Sequence, residues 1–209
     1  MQRYLPHGLI VILMLLLIWA AFFWDPSIKS PESEIASPEE PEPVIAAAPT
    51  GGDFTLQSYR GPVSLSSLRG KVVALFFGYT RCPDVCPMSL GYLGLAFNEL
   101  SPDELSQIQG LFVSVDPERD TLDRLKDYGE YFHPKILGIT GEPAEVAEIA
   151  RRYGAGYRKV EQELTAGYTI DHTADIYLID RRGSLGQSIS HGTPPSRILD
   201  GIRELLRDD

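Results

Sequence analysis

Residues 72–77 read VVALFF, six apolar residues in succession. A β-branched and aromatic run of this length predicts a strand covered on both faces, because a strand with one wet face alternates apolar and polar residues instead. It is followed by GYTRCPDVCP over residues 78–87, and then by Leu90, Leu93, Phe97 and Leu100 at the 3-4-3 spacing of an amphipathic helix. A buried strand, a short loop and a helix open an α/β unit, and the loop at the carboxyl end of such a strand is where open α/β sheets hold ligands. Cys82 and Cys86, the two cysteines of the chain, both lie in that loop.

The same patterns divide the rest. Residues 54–57 and 62–64 suit a small hairpin about Arg60 and Gly61, and residues 111–115 and 136–139 suit strands. Leu122 and Leu125 begin a second helix that Pro134 bounds. A third carries Val146, Ile149, Ala150 and Tyr153, with Pro143 near its start, Arg151 and Arg152 late, and Gly154 to stop it. Residues 176–179 pair with 185–189 across a turn, and Ile198, Ile202, Leu205 and Leu206 mark a closing helix introduced by Pro194. Strands that alternate with helices and end in a hairpin and a helix predict an α/β domain with a central mixed sheet over residues 53–209.

Two segments precede that domain. Residues 8–24, GLIVILMLLLIWAAFFW, carry no charge and approach the length of roughly 20 residues that spans a hydrocarbon core. Trp19, Phe22, Phe23 and Trp24 gather at the far end, as aromatic residues do at a membrane interface. Arg3 precedes the run and acids follow it, an order that leaves the start in the cytoplasm and the bulk of the chain outside. Phe-Phe-Trp is a poor cleavage context, so residues 1–24 are expected to be an uncleaved transmembrane helix rather than a signal peptide. Residues 25–52 hold six prolines, five glutamates and Asp25 against Lys29, a composition that predicts an unpacked tether. With 19 basic and 29 acidic residues the formal net charge is −10, and no basic stripe exists to neutralise phosphates, which argues against nucleic-acid binding.

Three residues separate Cys82 from Cys86, so the loop can curl both sulfurs onto one ion or close as a disulfide. Each cysteine precedes a proline, which disfavours helical dihedrals there. With Pro87 as the first helical residue, Cys86 falls near the helix cap, where free N–H groups and Arg81 favour a thiolate and Asp84 opposes it. Thiolates select soft ions, Cu(I) foremost, whereas zinc normally takes four ligands. Of the four histidines, His7 lies by the anchor, His133 ends a helix, and His191 follows the last strand. His172 stands just ahead of the strand at 176–179, in a connection that faces the cysteine loop in a sheet of this kind, and is the first choice for a third ligand. Asp116, Asp120 and Asp123 suit capping and loop rigidity better than metal binding, and Asp171 can orient the neighbouring imidazole. Gly91 and Gly94 weaken the helix after the cysteines by ~1 kcal/mol each relative to alanine.

GYTRCPDVCP at 78–87, VSVDPERDT at 113–121 and DHTADIYLID at 171–180 together resemble the SCO/SenC family, in the family's order and across nearly all of residues 53–209. The resemblance implies a thioredoxin-like fold and copper, as Cu(I) or Cu(II), held by Cys82, Cys86 and His172. It also implies a role in assembling the dinuclear copper site of cytochrome c oxidase subunit II. These expectations describe an inner-membrane, single-pass copper chaperone with its domain in the periplasm, served by a copper donor and a thiol reductant. Two alternatives use the same cysteines: a thiol-disulfide oxidoreductase acting on the acceptor's cysteines, with Cys82 and Cys86 as a redox-active disulfide, and a copper or redox sensor.

Overall fold

The computed structural model describes residues 12, 14–19, 49–162 and 167–207. The chain divides into two units, Met1–Ile45 and Ala46–Asp209. In the first, residues 14–19 are helical and exposed. The rest of the expected anchor, and residues 25–48 of the expected tether, lie outside the described residues. Among the described residues, no helix is long and apolar enough to cross a membrane.

The second unit is an α/β domain around a five-stranded mixed sheet, flanked by helices. Strands β1 (Thr55–Ser58) and β2 (Gly61–Ser64) form the expected hairpin. Then come β3 (Val72–Gly78), α1 (Val85–Asn98), α2 (Pro102–Ser106), β4 (Ile108–Ser114), α3 (Leu122–Phe132), β5 (Ile136–Ile139) and α4 (Pro143–Tyr153). The order closes with β6 (Tyr157–Gln162), β7 (Gly167–His172), β8 (Ile176–Ile179), β9 (Leu185–Ile189) and α5 (Pro195–Arg207). The central sheet runs β5-β4-β3-β8-β9, with β3 parallel to β4 and antiparallel to β8. All seven residues of β3 are buried, which is why its sequence does not alternate. Phe76, Phe77 and Phe112 fill the core beside it.

The helices end as their sequences dictate in most places. Gly154 takes the left-handed conformation (φ 75°) that stops α4, and Arg151 and Arg152 lie in its last turn. The short helix α2 has no periodicity to reveal it, although Ser101 and Glu104 form a reciprocal capping box at its start. Gly94 corrects the view of α1 as merely weakened: a Cβ there would stand 2.7 Å from the Phe132 carbonyl oxygen, so glycine lets α1 approach the end of α3. A Cβ on Gly91 would meet nothing within 4 Å, and nothing in the structure explains that glycine.

The hairpin β6–β7 is also not expected from the sequence. Its strands pair with each other, Tyr157 opposite His172, in a two-stranded sheet of their own. It adds no strand to the central sheet, and most of β7 is only half-buried, so the apolar alternation that betrays a strand is faint.

Candidate metal centre

Cys82 lies in the β3–α1 loop and Cys86 in the first turn of α1. The helix begins at Val85, so Cys86 lies inside it rather than at its cap, and Pro87 is the third helical residue instead of the first. Proline is tolerated there because first-turn N–H groups have no intrahelical partner. The cap is left to a sulfur: Asp84 makes no side-chain cap hydrogen bond, and the Cys86 N–H donates to Cys82 Sγ at 3.5 Å.

This arrangement sets the two thiols apart. Cys82 is drawn down to about 4, chiefly by the hydrogen bond from Cys86, with help from His172 and the backbone N–H groups of Asp84 and Cys86 against the cost of burial. Cys86, wholly buried, is pushed up by burial first and then by the Cys82 charge beside it. A thiolate on Cys82, the residue outside the helix, is therefore stabilised chiefly by the Cys86 thiol, and the N–H groups of the helix start add to it.

His172 ends β7, and its Nε2 stands 3.2 Å from Cys86 Sγ. On the other side of the ring, Nδ1 is 2.9 Å from the Thr173 carbonyl oxygen. A carbonyl can only accept, so a neutral ring carries its proton on Nδ1 and turns the Nε2 lone pair to the sulfurs. Burial opposes protonation of the ring, but Cys82 and the Thr173 carbonyl outweigh it and raise His172 above the usual imidazole range. Phe76 and Tyr79 pack against the ring, at centroid distances of 6.1 and 5.8 Å. Asp171 does not orient it, since that carboxylate turns outward to Arg158 at 2.9 Å.

The two sulfurs and an imidazole nitrogen of His172 all lie within 4.8 Å of one another. Bonds of roughly 2.0–2.3 Å to one shared ion hold three trigonal ligand atoms ~3.5–4.0 Å apart, so capture requires movements of no more than about an ångström. Two sulfurs and one imidazole form a soft, three-coordinate set that suits copper and leaves one side open. A cleft of about 440 Å³, with Tyr79, Cys82, Val85, Ile170 and His172 among its walls, reaches the site from outside. The other histidines serve elsewhere: His133 Nδ1 accepts from the Lys135 N–H, and His191 Nδ1 meets Ser89 Oγ at 2.9 Å. His7 lies outside the described residues.

Two supports of the site are not apparent from the sequence. Gly78 ends β3, where a Cβ would stand 2.6 Å from Cys86 Sγ, so the absent side chain makes room for the sulfur. A glycine between a buried strand and a cysteine loop is the signal that could have found it. Asp120, expected to cap α3, instead pins the cysteine loop, accepting from the Thr80 N–H at 2.9 Å, Thr80 Oγ1 at 2.6 Å and Ser114 Oγ at 2.7 Å. Thr121 is the cap, its hydroxyl accepting from the Arg124 N–H at 3.3 Å.

Comparison with known proteins agrees with this geometry. The SCO1/SenC family model matches residues 43–207. The chain is 36% identical over 164 residues to the mitochondrial Protein SCO2 homolog of Bos taurus, covering 78% of this chain and 62% of that protein. It is 29% identical over 197 residues to an SCO2-like protein of Rickettsia conorii, covering 93% and 95%. The first curated relatives are longer, and the match spans 49% to 64% of their lengths. A crystal structure of Arabidopsis thaliana ScoI with copper bound superimposes with a TM-score of 0.70 at 34% identity, covering 76% of this chain and 99% of that one. Bradyrhizobium japonicum ScoI with copper bound gives 0.64 at 36% identity, covering 74% and 98%. A match that takes in the sheet, the cysteine loop and the histidine hairpin together places this chain in the SCO1/SenC family.

Proposed function

We propose that this protein is a membrane-tethered copper chaperone, which holds one copper ion on Cys82, Cys86 and His172. It delivers that ion to the dinuclear copper site of cytochrome c oxidase subunit II. The observation that carries this reading is the convergence of two sulfurs and an imidazole nitrogen within 4.8 Å, from segments 86 residues apart in sequence. Relatives solved with copper bound support the choice of metal. Three ligands leave room for an acceptor thiolate to bind before the donor ligands release, so copper need never be free. The uncharged run at residues 8–24 supports tethering to the inner membrane, with residues 25–52 as the reach and the domain in the periplasm.

To test it, the reduced full-length chain in detergent is titrated with Cu(I) against a chromophoric chelator, then mixed with the reduced copper domain of subunit II. One equivalent is expected to bind and then to pass to the acceptor. Unchanged stoichiometry and affinity in a Cys82→Ser, Cys86→Ser double variant would refute the site.

The split between the two thiols favours a second activity of the same loop. The Cys82 thiolate can attack a disulfide in the acceptor, forming a mixed disulfide and releasing one acceptor thiolate. Cys86 then gives up its proton and attacks Cys82 Sγ, which frees the second acceptor sulfur and leaves a Cys82–Cys86 disulfide. Two electrons pass to the acceptor, and a thiol reductant must restore the pair. This activity does not need His172, so a His172→Ala variant retains thiol exchange while its copper binding weakens.

A further inference from the structure

The segment at residues 113–121 touches neither sulfur, yet it builds a second structure beside the site. Asp116 is wholly buried and forms an ion pair with Arg119 Nε. The other oxygen of the same carboxylate accepts a hydrogen bond from the Tyr168 hydroxyl at 2.6 Å. Arg119 Nη1 in turn donates to the Tyr168 carbonyl at 2.9 Å, and its guanidinium carbon stands 3.6 Å from the centre of the Tyr168 ring. Tyr168 lies on β7, four residues before His172. Tyr79, which leads into the cysteine loop, completes the contact. Its hydroxyl accepts from the Ile170 N–H at 3.3 Å, its ring faces the Arg119 guanidinium at 5.7 Å, and its edge packs against the His172 ring.

β6 and β7 form a sheet of their own, and the link at residues 173–175 joins the end of β7 to β8, which pairs with β3. Beyond that link, the hairpin is held to the sheet by side chains, the buried Ile170 among them. The exposed Lys159–Glu118 pair adds little, because solvent screens it. A buried carboxylate matched to a planar guanidinium, which also stacks on an aromatic ring, is a directional and desolvated contact. We propose that Asp116, Arg119 and Tyr168 are positioning residues: a latch that docks the β6–β7 hairpin and so sets the distance from the His172 imidazole to the two sulfurs. The latch rests on the copper reading for its purpose, but its existence can be tested without metal.

Tyr168→Ala removes the stacked ring and leaves the Asp116–Arg119 pair intact. In the metal-free, reduced full-length protein, the NMR contacts between the His172 ring and the rings of Phe76 and Tyr79 are expected to disappear. Cu(I) affinity, measured by competition, is expected to fall by about 10–100-fold, as when a group that orients a ligand is removed. Tyr168→Phe keeps the ring under the guanidinium and should restore most of that loss. In a His172→Ala background, Tyr168→Ala should change affinity by less than about threefold, because the ligand it positions is already gone. Equal losses in the two backgrounds would reduce the latch to general stability and overturn the proposal, as would unchanged ring contacts. Should Tyr168→Ala fail to fold, Arg119→Lys keeps a cation against Asp116 but loses the planar stack, and the same outcomes decide. Failure of the wild-type chain to bind Cu(I) would sink the copper reading, while the ring contacts would still decide for or against the latch.

Discussion

In the reduced, metal-free protein, Cys82 is expected to remain a thiolate down to about pH 4. An unperturbed thiol near 8.5 would be ionised at pH 5 to about one part in several thousand. The sign follows from the lowered value. Above about 4 the sulfur is charged, so alkylation by iodoacetamide should be nearly flat from pH 8 to pH 5, halve at the midpoint, and fall about tenfold per unit only below it. Mass mapping should find the label on Cys82, since Cys86 is buried and its value is raised. The plateau rate should be modest, because a thiolate of low basicity is a weaker nucleophile. Cys86→Ala removes the largest stabilising hydrogen bond and should move the midpoint upward, with His172→Ala doing the same to a smaller degree. A wild-type midpoint in the ordinary thiol range, or label mainly on Cys86, would contradict this division of roles.

Gly78→Ala is expected to damage the site from behind. The new Cβ would stand 2.6 Å from Cys86 Sγ, 3.0 Å from Phe76 Cε1 and 3.1 Å from Phe112 Cε2. Phe76 and Phe112 are wholly buried in a close-packed core, so the sulfur yields first. Overpacking of this kind costs about 1–3 kcal/mol. Because the displaced atom is a proposed ligand, Cu(I) affinity should also drop by about 10–100-fold, an effect of the size seen when ligand-supporting groups are lost. Denaturant unfolding and copper competition separate the two consequences. In Gly78→Ala, Cys86→Ala the clash with sulfur is gone, and part of the stability should return. A Gly78→Ala protein with native affinity would show that Cys86 does not sit where the site requires it.

Much of this architecture is legible in the sequence because individual residues have only one good use. The unbroken apolar run of β3 requires a strand covered on both faces, and all of its residues are buried. Gly154 and Pro143 bracket α4 by backbone chemistry alone. Cys82, Cys86 and His172 can be named because their types and order match a family pattern. The features that stay hidden depend on contacts across long stretches of chain. Spacing treats Cys82 and Cys86 alike, and only the start of α1 at Val85 decides which sulfur receives the helix N–H. Asp120 has a capping residue's sequence context, yet its partner is Thr80, 40 residues earlier. The β6–β7 hairpin is polar enough on both faces to pass for a loop, and it is fixed by Arg119, which no local pattern connects to Tyr168, 49 residues later.

X-ray absorption of the Cu(I)-loaded full-length protein, beside a His172→Ala variant, bears most directly on whether three side chains share one ion. Two sulfur neighbours and one nitrogen neighbour are expected in the native protein, with the nitrogen lost and the sulfurs kept in the variant. Identical spectra, with sulfur alone in both, would show that the imidazole poised 3.2 Å from Cys86 Sγ takes no part in holding copper.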